Sequence, residues 1–363
     1  MAAAASPPPR AQQLDPGRWW TLAAVCVAVF MLLLDITVVN VALPDIARSL
    51  GASFTDLQWV IDAYALSLAA LLLTAGSLAD RFGRRAVFTA GLGIFSAASL
   101  LCGLAPSPAL LNVARGLQGV GGAAMFATSL ALLAAAFHGP ERGTAFGIWG
   151  ATTGAAVAIG PLAGGVLTQS VGWEAIFFVN VPIGVAAIAV TLRRVAESRD
   201  PHARTVDVGG LVTFSVALFL LIFALVRGNA EGWTSGLIVG FLAGSAVLLV
   251  AFVVIESRVA RPMFDLTLFR NRSFTGASAA AFAISASMFS MFLYLTLYLQ
   301  NGLGYSPLEA GLRFLPVSLV SFVVAPIAGR LSARVPVRGL IGGGLLLVGA
   351  GLVLMRGLGA ASD

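Results

Sequence analysis

The chain is a succession of eleven long apolar runs separated by short polar connections, and this pattern constrains its fold more than any other feature. The runs lie near 19–43, 57–79, 86–104, 109–136, 144–169, 174–192, 207–226, 233–255, 274–300, 309–329 and 339–356. Each is close to the ~20 residues that a helix needs to cross the hydrocarbon of a bilayer. Only 10% of the residues are charged and 58% are hydrophobic, against roughly 25% charged in a soluble domain. A water-facing fold could not hide that much apolar surface. The fold class is therefore an all-α polytopic membrane protein with about eleven transmembrane helices. The 41 glycines suit close approach of membrane helices.

The net charge of +6 does not indicate a nucleic-acid binder, because the basic residues are dispersed between spans. All are arginine, and they are distributed unevenly. With the N-terminus in the cytoplasm, the outside holds only Arg48, Arg227 and Arg356, against seventeen on the cytoplasmic side. That asymmetry sets the orientation. Cys26 and Cys102 both fall inside spans, which argues against a disulfide framework. His138 and His202 lie in polar connections without a second ligand nearby, so no metal site is expected. There is no nucleophile–base constellation or phosphate loop to suggest an enzyme, and no cofactor is expected.

An internal repeat organises the chain. GSLADRFGRR at 76–85 aligns with GRLSARVPVR at 329–338, an offset of 253 residues, and the same offset aligns Leu50-Gly51-x-Ser53-x-x-Asp56 with Leu303-Gly304-x-Ser306-x-x-Glu309. Short loops of this kind also resemble one another without common descent. Repeated halves are a building plan of transporters. The repeat unit begins again at the ninth helix. A six-helix unit then gives four segments: a tail over 1–18, a six-helix bundle over 19–192, linkers with an inserted helix pair over 193–273, and part of a second bundle over 274–363. A complete second bundle would need helices 12–14, so the chain reads as C-terminally truncated.

Charged residues inside spans are costly and call for a functional reading. Asp35 lies about 12 Å from the outer end of its helix, and Asp62 and Arg115 about 8–9 Å from theirs, at ~1.5 Å per residue. The similar depth allows one carboxylate–guanidinium cluster. Such a cluster can relay protons, because desolvation and a neighbouring arginine together set whether a carboxylate holds a proton. A static ion pair, or snorkelling to the interface, would use the same residues. In the fifth run, Gly150 and Gly154 share one helical face, and so do Gly160 and Gly164. With Gly165 and a kink at Pro161, they make a smooth groove for a neighbouring helix. In the turn between the second and third runs, Gly76 and Gly83 suit a tight backbone, and Asp80 can pair with Arg81 or Arg84. Anchoring to anionic lipid is the simpler role for those arginines.

These motifs resemble the major facilitator superfamily, and within it the 14-helix drug:proton antiporters. GSLADRFGRRAVF is similar to the loop 2–3 signature, LLNVARGLQGVGGAAM to that of helix 4, and GATTGAAVAIGPLAGGVL to the antiporter signature of helix 5. LDITVVNVALPDI, FFVNVPIG and YSPLEAGLRFLP resemble segments of the 14-helix subfamily. The resemblance implies a 6+2+6 helix plan, alternating access, and export of amphipathic or cationic small molecules such as drugs against inward proton flow, in the plasma (inner) membrane. The same sequence also admits a dedicated transporter of one metabolite, or a non-transporting fragment without helices 12–14. The resemblance also implies coupling by Asp35 and Arg115, a cytoplasmic gate built from Asp80 and the loop arginines, and an antiporter groove at Gly160, Pro161, Gly164 and Gly165. A central cavity is expected to draw on Asn40, Tyr64, Gln118, Trp149, Met288, Phe289 and Tyr294. One departure is Ala333, which stands where the first copy has Asp80.

Overall fold

The computed structural model describes residues 17–199, 207–259, 262, 264–305, 307–332 and 334–355. Arg10, His202, Arg204, Arg261, Ser306, Ala333 and Arg356 lie outside that set, as do the side chains of Met288 and Phe289. The described residues form helices joined by short turns. The first six spans are α1 (Arg18–Leu50), α2 (Phe54–Phe82), α3 (Arg84–Gly103), α4 (Pro108–Ala136), α5 (Gly139–Ser170) and the broken pair α6 (Ala175–Phe178) and α7 (Asn180–Arg194). Then follow α8 (Val208–Glu231), α9 (Gly236–Arg258), α10 (Arg272–Leu297), α11 (Pro307–Leu331) and α12 (Val337–Leu354). Among the described residues, 8 helices are long and apolar enough to cross a membrane, or 9 when the two bent segments of α5 are taken as one span. α10 and α11 have 26 and 25 residues, enough for the ~20 that a span requires.

Local chemistry sets the helix ends. Gly51, at φ 61°, closes α1 in the left-handed region, and Ser53 and Asp56 form a reciprocal capping box at the start of α2. The corresponding Gly304 is also left-handed, at φ 71°. The repeat extends to the helix starts: Pro307 and Val337 open α11 and α12, each 253 residues after Phe54 and Arg84 open α2 and α3. The expected turn around 76–83 is shorter than its sequence suggests. α2 continues to Phe82, so Gly76 lies within a helix with open space where a side chain would stand. Gly83 alone, at φ 113°, reverses the chain. α5 bends by 44° between its segments Gly139–Val157 and Ile159–Ser170. Pro161 causes a bend at this level, because its ring clashes with the carbonyl four residues earlier.

α1 to α7 pack into one bundle. Val25, Phe88, Phe95 and Met125 fill one end, and Val38, Ile46, Trp173 and Phe177 fill the other. α8 and α9 pair with each other, where Ser245 Oγ donates to the Ala217 carbonyl oxygen (2.8 Å), and α8 lies along α2. α11 runs against α5. The backbones of Gly143 and Gly329 meet there, in space that any side chain would occupy. α12 has no buried residue among those described, and Leu346, Leu347 and Leu354 stand outward.

Candidate functional site

Polar residues of the bundle converge on Asp35. Helical spacing presents them in pairs. Arg115 and Gln118 are three apart on α4, Ser99 and Cys102 three apart on α3, and Val60 and Tyr64 four apart on α2, so each pair shares a face. Asn180 opens α7 at the break in the sixth span. Asp35 is 3% exposed and Arg115 1%, and Gln118, Asn180, Ser99 and Tyr64 are equally enclosed.

The carboxylate is fully coordinated. Arg115 Nη1 donates to Asp35 Oδ2, and Asp35 Oδ1 accepts from Gln118 Nε2 (2.9 Å) and Asn180 Nδ2 (3.1 Å). Gln118 Nε2 also reaches Ser99 Oγ (2.8 Å), and Gln118 Oε1 accepts from Arg115 Nη1 (2.7 Å). Arg115 Nε donates to the Val60 carbonyl oxygen at 2.8 Å. The guanidinium lies over the Tyr64 ring, 4.3 Å from its centroid, an arrangement that favours a desolvated cation. The arrangement is one negative charge from α1 and one positive charge from α4 in a buried pocket, enclosed by polar groups of α2, α3 and α7. Such a pair is stable while intact and costly to break on one side only. A proton arriving at Asp35 would therefore have to coincide with rearrangement of the helices around Arg115.

The expected cluster of three charges divides. Asp35 and Arg115 meet, but Asp62 lies on the opposite face of α2, in a slot with Trp59, Phe223 and Arg227 toward α8. The reason is angular: Asp62 and Tyr64 are two residues apart and so about 200° apart around the helix. Tyr64 and Gln118, expected in the central cavity, are enclosed parts of the Asp35 centre. The other expected cavity residues are scattered. Asn40 is exposed and donates to the Ile36 carbonyl oxygen (3.0 Å), Trp149 packs on Phe126, and Tyr294 is 71% exposed. Sequence reasoning missed Asn180, Ser99 and Cys102 as members of the centre. Asn180 carried a signal, as an amide inside the apolar run FFVNVPIG.

The glycine face of α5 serves two neighbours. Gly160 and Gly164 meet α1, where a Cβ at Gly160 would collide with the Thr37 side chain, and Gly143 meets α11. Gly150 and Gly165 face open space, and Gly154 is half-buried. In the Gly83 turn, Arg84 Nη2 pairs with Asp80 Oδ1 (2.8 Å), while Arg81 lies over the Phe82 ring. A partner absent from the sequence reading is Glu197. Its carboxylate accepts from the backbone N–H of Arg85 (3.0 Å) and of Ala86 (3.2 Å), capping α3, and it fills the space a Cβ at Gly83 would need. The Arg84 N–H donates to the Ser198 carbonyl oxygen (2.9 Å). The segment after α7 is thereby clamped to the turn.

Long apolar helices around a desolvated acid–base pair define a polytopic membrane protein built like a solute transporter. The sequence places it further: the Major Facilitator Superfamily profile matches residues 25–362, and the chain belongs to that family. It is 41% identical over 336 residues to the multidrug resistance protein Stp of Mycobacterium tuberculosis, covering 92% of this chain and 63% of that protein. It is 39% identical over 345 residues to the tetracenomycin C resistance and export protein of Streptomyces glaucescens (95% and 64%). It is 40% identical over 346 residues to the puromycin resistance protein pur8 of Streptomyces alboniger (95% and 69%). The chain thus spans just under two thirds of the length of the first two relatives. Among solved structures, a peptide transporter POT in complex with sulfate matches with TM-score 0.60 at 15% identity, over 96% of this chain and 76% of that one. The proton:xylose symporter XylE matches with TM-score 0.56 at 11% identity, over 87% and 69%. Both show the same fold.

Proposed function

We propose that the protein acts in proton-coupled export of drugs or other amphipathic small molecules by alternating access, from the plasma membrane with its N-terminus in the cytoplasm. The observation that carries the coupling is the Asp35–Arg115 pair, enclosed by Gln118, Asn180 and Tyr64. A buried carboxylate balanced by one guanidinium changes state when its surroundings open to water. In the reading proposed here, opening of the outer side hydrates Asp35 and lets it take a proton as substrate leaves. Arg115 then leans on the Val60 carbonyl oxygen and Gln118 Oε1, which already accept from it. Opening toward the cytoplasm releases the proton and restores the pair.

The rest of the molecule supplies the moving contacts. The close approach of Gly143 and Gly329 lets α5 roll on α11. The Asp80–Arg84 pair and the Glu197 clamp would gate the arginine-rich end. The named activities of the resistance and export relatives support the substrate class. The test is ethidium efflux from proteoliposomes bearing this chain, with and without an imposed pH gradient. Wild type should accelerate with the gradient, whereas Asp35→Asn should lose the acceleration and keep exchange at equal pH. Gradient-driven efflux by Asp35→Asn would rule out the coupling assignment.

A further inference from the structure

The end of the bundle away from the Gly83 turn carries a pocket of about 380 Å³. Asp45, Arg48 and Ser49 of α1 line one side, and Thr168 of α5 with Gly172 and Trp173 beyond its end line the other. Gly172, at φ 129°, turns the chain out of α5. Trp173 then folds back edge-on to Phe177, with its ring centroid 6.1 Å away. Trp173 is 5% exposed, and its buried indole N–H has no acceptor among the described residues. Thr168 Oγ1 is buried beside it and is equally unpartnered there. Threonines inside a helix commonly donate to the carbonyl four residues back. Thr152 and Thr153 of the same helix do so, to Ile148 (2.9 Å) and Trp149 (3.1 Å), whereas Thr168 does not. Two buried hydrogen-bonding groups thus border one pocket with nothing from the chain to satisfy them.

A buried donor without an acceptor is costly, and an indole N–H can only donate, so the occupant must bring an acceptor oxygen. The exposed Arg48 guanidinium favours an anionic one. Among the described residues it is bonded to Asp45 alone, one turn back, which leaves most of its five N–H groups open. The occupant must also answer negative charge: Asp45 lines the pocket, and the Glu174 carboxylate stands against Gly172, where it would meet a Cβ. Two carboxylates and one guanidinium disfavour a purely anionic guest and suit a zwitterion. The membrane supplies one at this level. α1 and α5 have 33 and 32 residues, a path of about 50 Å at 1.5 Å per residue, which outruns the ~30 Å hydrocarbon core and carries the helix ends into the headgroup layer. We propose that this pocket binds the zwitterionic headgroup of a membrane phospholipid. Its phosphodiester oxygens accept from the Trp173 N–H, the Thr168 hydroxyl and Arg48, and its cationic group turns toward Asp45 and Glu174. The site has no part in the export step proposed above, and its test needs lipid binding alone.

The experiment is native mass spectrometry of the full chain in detergent, titrated with phosphatidylcholine or with phosphatidylglycerol of the same acyl chains. Wild type should retain the zwitterionic lipid more tightly than the anionic one. Trp173→Phe keeps the ring and removes only the N–H, and it should weaken retention of phosphatidylcholine about tenfold. Thr168→Val should weaken it in the same direction. Neither variant should unfold earlier than wild type in the absence of lipid, because neither loses a hydrogen bond within the chain. Asp45→Asn with Glu174→Gln should raise phosphatidylglycerol to at least the affinity of phosphatidylcholine, a reversal that loss of packing would not produce. Equal retention of phosphatidylcholine by wild type and Trp173→Phe overturns the proposal, as does equal affinity of wild type for the two lipids. Glycerophosphocholine, the same headgroup without chains, and inorganic phosphate should leave lipid retention unchanged. Displacement of the lipid by either at equal concentration would assign the pocket to a soluble phosphate and overturn the lipid assignment.

Discussion

Asp35 and Asp62 sit on adjacent helices of one bundle, yet their surroundings are opposites. Asp35 is enclosed by Arg115, Gln118 and Asn180. Asp62 looks outward into a slot with a guanidinium that is held by other partners. One carboxylate is part of the structure's internal balance, and the other is available to something outside it. The same residue type thus serves two ends, and the face of the helix decides which.

The sharpest way to break this contrast is to remove the cation from each site. Arg115→Leu should destabilise the protein by about 3–5 kcal/mol, because it leaves Asp35 buried and unpaired. Arg227→Leu should cost under about 1 kcal/mol, as expected at a partly exposed pair. Thermal or denaturant unfolding in detergent distinguishes them. Equal losses would show that the two sites do not differ. Next in size is Asn180→Ala. It takes a donor from an ionised acceptor in a dry pocket and should cost about 1–3 kcal/mol by the same measurement. The clamp on the Gly83 turn should be weaker: Glu197→Ala removes a helix cap and should cost about 0.5–2 kcal/mol. It should also speed hydrogen exchange at the amides of Arg85 and Ala86, which distinguishes lost capping from general loosening. Smallest is Asp62→Asn, expected within about 0.5 kcal/mol of wild type, since no hydrogen bond is lost. A large loss there would mean that Asp62 holds the bundle together.

Much of this was legible in the sequence, and the reasons are physical. Run length gave the spans, because a bilayer imposes a minimum length on every crossing helix. The depth of Asp35 and Arg115 brought them to one level, and the two residues meet. The 253-residue offset reappears in the starts of α11 and α12 because caps and turn glycines are local signals. Depth alone does not give azimuth, and that is why Asp62 was grouped with Arg115. The spacing from Asp62 to Tyr64 contains the answer, but only once one of the two is known to face inward. Gln118, read as a cavity residue, could have been placed with Arg115 by its three-residue spacing. Glu197 could not have been found this way. It reaches α3 across more than a hundred residues, and nothing in its neighbourhood marks it as a cap.

The claim at the centre of this account is that the coupling proton is held at Asp35 and not at Asp62. Proton release on ligand binding tests it directly, in weakly buffered detergent solution with a pH-indicating dye and saturating ethidium. Wild type and Asp62→Asn should release protons when ethidium binds, and Asp35→Asn should release none. Undiminished release from Asp35→Asn, or its loss in Asp62→Asn at saturation, would contradict the division of labour between the two carboxylates.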